Sequence, residues 1–338
     1  PFGRMRRIEA NECIINIGSD PSSLDSGQST DIPAARTILM LQRGLTVLDD
    51  ESRPQPELAE SWQVSDDGLT YTFKLRPARW TNGDPVTADD FVYAWTCRVL
   101  NPEFASQYAY QLFYLRGARA YYSNPELGPE SVGVRALAPD VLEVQLEAPT
   151  PFFLELVAHH TYFPVNPRVD QANPDWHRYA ASYVGCGPFV LKEYRLSDRI
   201  VLERNPDYWN ADAVRMQRVI LRMIEQESTE RIAFENGEID ATQTVPQQDI
   251  ASLRDRPYFR HSDQLATYYL YVNTQKPALA DPRVRRALAL AINRRELIDY
   301  VTLAGQEPAL TLSPPSLYHG GLPDTPLHDA AFDEARAL

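Results

Sequence analysis

The six histidines, His159, His160, His177, His261, His319 and His328, are the side chains best suited to acid–base or metal chemistry, and their spacing supports neither. His159 and His160 are adjacent, so on an extended segment they point to opposite faces and cannot hold one ion together. Cys13, Cys97 and Cys186 are far apart, form no Cys-x-x-Cys, and read as small buried hydrophobes. No nucleophile elbow, zinc-protease helix, phosphate-binding loop or dinucleotide fingerprint occurs. The glycine loop Gly185-Cys186-Gly187-Pro188-Phe189 precedes a strand and lacks a following Lys-Ser/Thr, so it is no phosphate cradle. No catalytic group, metal or cofactor is implied. What remains is recognition by aromatic, polar and backbone groups.

The elements that would carry such recognition are legible in order. Cys13 to Gly18 reads as a strand, followed by a turn and by an extended stretch, Ser29-Thr30-Asp31-Ile32-Pro33, because proline disfavours helix in the residue before it. Ala34 to Leu45 reads as a helix. In Leu69 to Leu75, apolar Leu69, Tyr71, Phe73 and Leu75 alternate with Thr70, Thr72 and Lys74, which is a half-buried strand. Thr87 is placed to cap a helix whose Phe91, Trp95 and Val99 make one stripe. The aromatic run Phe104 to Tyr122 reads as core and interface, and Val132 to Leu137 and Val141 to Glu147 as two strands. Val219 to Ile224 suits a strand buried on both faces. A helix capped by Ser228 and a return at Ile239-Asp240-Ala241 complete a βαβ unit. Tyr268 to Val272 reads as an aromatic strand. Asp281-Pro282 opens a helix with Val284, Leu288 and Ala291 inward, and Asn293 with Glu296 begins another.

At 338 residues the chain exceeds what one core usually covers, so two or more domains are expected. With 43% hydrophobic and 23% charged residues it has the composition of a soluble globular protein. A formal net charge of -13 argues against a nucleic-acid partner, and no apolar run approaches a membrane span. The basic run Arg283, Arg285, Arg286, Arg294 and Arg295 reads as a solvated helix face. Composition does not decide the compartment.

Several strings carry more than periodicity. LAESW and SDDGLTYTFKLR, then W-x-NGDPVTADDF-x-YAW from Trp80, resemble the extracytoplasmic solute-binding proteins, family 5, that serve peptide ABC transporters. So do SLD at Ser23, GPF at Gly187, RNPDYW at Arg204, GEIDA at Gly237 and NTQKPALADPRVRRALALAINRRELI at Asn273. The resemblance implies an α/β fold of α+β character, periplasmic-binding-protein-like and three-lobed, with two main domains around a hinge and the third lobe incomplete. Domain I would comprise 1–44 and 164–265, domain II 45–163, and the start of domain III 266–338. The uncapped helix Phe332 to Leu338 fits an expectation that the chain stops within that lobe.

The function so implied is capture of oligopeptides by hinge closure and delivery to membrane permease subunits, by a monomer that lies in the periplasm or outside the cytoplasmic membrane, with a lipid anchor left open. An extended ligand is held by backbone pairing, with roomy wet pockets for its side chains. Thr30, Asp31 and Ile32 would offer backbone pairing, while Tyr108, His159, Gln243, Thr244 and Tyr269 fall where family members line the cleft. Each also has an ordinary reading, the tyrosines as core aromatics and His159 as a satisfied polar residue. Ala266 stands where similar members of the family carry the first cysteine of a pair. Other ligands (a dipeptide, a murein peptide, a nickel chelate or an oligosaccharide) and a sensory module reusing the fold stay open; the QKP string at Gln275 favours oligopeptides.

Overall fold

The computed structural model describes residues 7, 9–260, 266–309 and 311–314, which form two compact units, 1–243 and 244–338. The strands of the first unit are β1 (Glu12–Asn16), β2 (Thr46–Leu48), β3 (Pro54–Pro56), β4 (Ala59–Val64) and β5 (Thr70–Leu75). They continue with β6 (Val134–Ala138), β7 (Val141–Gln145), β8 (Phe189–Arg195), β9 (Arg199–Arg204) and β10 (Arg218–Arg222). One sheet has the order β1-β10-β9-β8, parallel only between β1 and β10; the other, β4-β5-β7-β6, is antiparallel throughout. A small ribbon pairs β2 with β3.

The period-two pattern of β5 does what it predicts. Tyr71, Phe73 and Leu75 are buried, and Phe73 packs beside Trp62 of β4 with ring centroids 6.4 Å apart. In β10 the expectation of burial on both faces fails. Val219 and Leu221 are buried, but Ile220 between them is only half-buried, so one face meets the core and the other a cavity.

The helices are α1 (Ile32–Leu41), α2 (Ala88–Tyr93) and α3 (Glu227–Glu235). The β10–α3 unit returns to the sheet at Ala241, which bridges Ile15 in parallel, so β1 lies between the two ends of the crossover. Helix α3 begins one residue before Ser228, with Gln226 as its N-cap and no side-chain cap. The Asp90 carboxylate accepts from the Thr87 N–H at 2.9 Å and starts α2. Beyond Tyr93 the turns widen into a π-helix, Ala94–Val99, and Phe91, Trp95 and Val99 are all buried. Cys97 on that stretch is exposed and Cys13 half-buried; of the three cysteines only Cys186 is the buried hydrophobe expected.

Helix α1 starts two residues earlier than its apolar pattern suggests. The Asp31 carboxylate accepts from the Ala34 N–H at 2.8 Å, and Pro33 falls in the first turn, where its missing donor costs nothing. The extended stretch therefore ends at Asp31, and Ile32 is helical. The helix also stops at Leu41 rather than Leu45, because the glycine loop docks on its end. The Gly187 N–H donates to the Leu41 carbonyl at 2.9 Å, and a Cβ on Gly185 would sit 2.2 Å from that oxygen. Glycine is required there by close approach, not by a phosphate.

In the second unit, α4 (Gln247–Leu253) and α5 (Pro282–Ala291) are regular. Tyr268 to Val272 is not a strand. No described residue pairs with it, and all five side chains are exposed, since a strand exists only through a neighbour's ladder. In α5 it is Leu290 that is buried, while Val284, Leu288 and Ala291 are exposed, the reverse of the expected face. Asn293 caps as expected, accepting from the Glu296 N–H at 3.1 Å. His261, His319, His328, Gly320-Gly321 and the segment Phe332 to Leu338 lie outside the described residues.

Candidate functional site

The first turn of α1 opens a cavity of about 340 Å³ in the first unit. Thr30, Asp31, Ile32, Ala35 and Leu39 form one wall; Leu48, Tyr108, Glu155, Ala158, His159 and His160 supply the rest. The wall is mainly apolar, and its volume sits at the small end of ligand pockets, suited to one side chain rather than a whole extended ligand.

The polar groups are arranged with specific partners. Both Asp31 oxygens are occupied, Oδ1 by the Ala34 N–H and Oδ2 by the Ser22 N–H at 2.9 Å. The Tyr108 hydroxyl donates to the Thr30 carbonyl at 3.4 Å, and its ring meets His159 edge-on with centroids 5.5 Å apart. The N–H groups of Thr30 and Asp31 donate to no group among the described residues. Two wall residues thus carry backbone donors with no acceptor among the described residues.

His159 and His160 sit at a 3-10 turn rather than on a strand, so their rings come within 4.1 Å of each other instead of pointing apart. Burial, and then the neighbouring His160, push the His159 imidazole down to about 4. Burial lowers His160 as well, against the opposing pull of the Ser29 carbonyl and Asp31. Both rings are neutral at pH 7. His159 Nδ1 accepts from the Thr161 N–H at 3.3 Å, which leaves the ring proton on Nε2. The ring can therefore offer one N–H donor and no charge.

Five of the eight residues singled out in the sequence, Thr30, Asp31, Ile32, Tyr108 and His159, line this one cavity. Gln243 is in the same unit but not in its wall; its amide oxygen accepts from Arg36 and its N–H donates to Glu230. Thr244 and Tyr269 belong to the second unit, where Thr244 is exposed and the Tyr269 hydroxyl donates to that of Tyr271 at 2.8 Å. Glu155 and His160 were not anticipated as wall residues. Glu155 follows Phe153 in a short helix with no motif around it, and only the proximity of His160 to His159 could have pointed to the second imidazole.

A second cavity, about 330 Å³, lies against the open face of β10 and is lined by Arg199, Arg218 and Arg222. Each of these arginines is already paired, with Glu193, Glu12 and Asp198 respectively.

Comparison with known proteins agrees with this architecture. The bacterial extracellular solute-binding proteins, family 5 (middle region), match residues 53–338. The dipeptide-binding protein DppE of Bacillus subtilis is 36% identical over 87% of this chain and 54% of its own length. The oligopeptide-binding protein OppA of the same organism is 36% identical over 90% of this chain and 56% of its own. The chain thus spans little more than half the length of these relatives. The solved structure of Burkholderia pseudomallei OppA superposes with a TM-score of 0.88 at 32% identity, over 96% of this chain and 64% of that one. Among the described residues no helix is long and apolar enough to cross a membrane. The chain belongs to family 5 of the bacterial extracellular solute-binding proteins.

Proposed function

We propose that this chain is the ligand-capturing portion of the substrate-binding component of a peptide ABC transporter, taking up oligopeptides and passing them to membrane permease subunits. The observation that carries this reading is the convergence of Thr30, Asp31, Ile32, Tyr108 and His159 on one cavity. The unengaged N–H groups of Thr30 and Asp31 suit the carbonyls that every peptide shares, and the apolar wall suits a side chain of variable identity. Gln243, Thr244 and Tyr269 would complete the cleft. Lobes at 1–44 with 164–265 and at 45–163 would close on the ligand, with a third beginning at 266. A monomeric binder outside the cytoplasmic membrane that performs no catalysis and needs no cofactor fits the same reading.

Native mass spectrometry of the purified protein, followed by denaturation of the same sample, tests it. Release of peptides of mixed sequence is the expected outcome. Release of a single non-peptide species, such as a metal chelate or an oligosaccharide, would replace peptide by that ligand.

A further inference from the structure

Helix α1 is apolar on two faces. Ala34, Thr37, Ile38 and Leu41 turn one stripe into the core, whereas Ile32, Ala35 and Leu39, at i, i+3 and i+7, line the cavity. Leu48, the last residue of β2, lines it as well. Ile32, Leu39 and Leu48 are 60%, 39% and 42% exposed. Single apolar side chains are common on a protein surface, but three around one cavity make a patch that an apolar occupant would cover.

The polar groups of the wall are largely answered within the protein. Both Asp31 oxygens accept from backbone donors, the Tyr108 hydroxyl donates to the Thr30 carbonyl, and His160 Nε2 lies 3.3 Å from the Ser29 carbonyl. His159 keeps one neutral ring N–H. No lysine or arginine lines the cavity, and its two acids are Asp31 and Glu155. A polar side chain entering here sheds water for few partners, and an acidic one meets like charge and no cation. An aliphatic side chain gives up no hydrogen bond and takes the leucines out of water. Deepening the peptide-capture reading above, on which this rests, we infer that the cavity selects an uncharged aliphatic side chain of the peptide, with Leu39 and Leu48 as its specificity-determining residues.

The test is calorimetric titration of the purified protein with alanine pentapeptides in which leucine, asparagine or aspartate is moved through the five positions. Leucine and asparagine have nearly the same shape, so their ratio isolates polarity. One position is expected at which leucine binds at least tenfold tighter than either of the others; tenfold is about 1.4 kcal/mol. Leu39→Gln combined with Leu48→Asn should cut that ratio at least threefold, and Leu39→Met combined with Leu48→Met should keep it. Leu48→Asn alone, with the same expectation, serves if the polar pair does not fold. A ratio below tenfold at every position overturns the inference and leaves peptide capture standing. So does a ratio that the polar variant cuts less than threefold, which would assign both leucines to packing within the protein, or one that the methionine variant also loses. Binding of none of these peptides overturns peptide capture and this inference together.

Discussion

Glu57 and Tyr208, 151 residues apart in sequence, meet in a buried hydrogen bond of 2.5 Å from the tyrosine hydroxyl to the carboxylate. Trp209 Nε1 donates to the same oxygen at 3.0 Å, Arg43 approaches it at 3.4 Å, and the Arg76 guanidinium lies 3.5 Å over the Trp209 ring. The string RNPDYW is thereby explained: its two aromatics satisfy the acid that opens ELAESW. Glu57→Ala leaves a phenol, an indole N–H and a guanidinium without their acceptor and should cost about 3 kcal/mol, read as the urea midpoint. Glu57→Gln, which keeps an acceptor, should cost less than half of that.

A second buried network is centred on Arg98. Its guanidinium bridges Asp25 and Asp170, and Tyr93 and the Trp176 indole also donate to Asp170, at 2.6 and 3.0 Å. Arg98→Ala strands two buried carboxylates and is expected to lose about 3–5 kcal/mol by chemical denaturation. Substituting Asp25, Arg98 and Asp170 together with apolar residues should be milder than the single change, because no charge is then left unpaired. A triple variant less stable than Arg98→Ala would contradict this account.

Gly185→Ala should fail by backbone collision. The new Cβ would lie 2.2 Å from the Leu41 carbonyl oxygen that ends α1, an atom that a rotamer change cannot move. An overpacking cost of about 3 kcal/mol or more is expected, seen as a lowered thermal midpoint or loss of soluble protein. Gly83→Ala, with nothing within 4 Å of its Cβ but a φ of +89°, should lose only about 1 kcal/mol by the same measurement.

Acid should act through His159. Its folded value of about 4 lies below the usual 6.5, so between these values the unfolded chain binds the proton and the folded chain does not. Stability contributed here is present above pH 6.5 and declines as pH falls, to a total on the order of 2–3 kcal/mol by pH 4. Asp90, pushed up to about 6 by burial despite its bonds to Thr87 and Trp80, works in the opposite sense between pH 4 and 6, so the whole protein shows a blunted slope. The difference between wild type and His159→Asn isolates the imidazole. It should shrink as pH drops from 7 to 4; a constant difference would mean that the ring titrates normally.

Much of this chain is written locally. Alternation at Tyr71, Phe73 and Leu75, the cap at Thr87, and the strand–helix–strand spacing around α3 each follow from steric and hydrogen-bonding rules acting over a few residues, and the short strings were enough to indicate the family. Tertiary structure decided the rest. Tyr268 to Val272 has the composition of a strand but forms none, since pairing depends on a neighbouring chain segment. The end of α1 was set by a glycine loop more than 140 residues later, and the partner of Glu57 by Tyr208. Above all, the cavity gathers residues 30–32, 108, 155 and 158–160, which lie far apart in the string and meet only in space. Periodicity and capping are short-range and readable in a string; burial, charge compensation and close approach depend on distances that exist only once the chain has closed on itself.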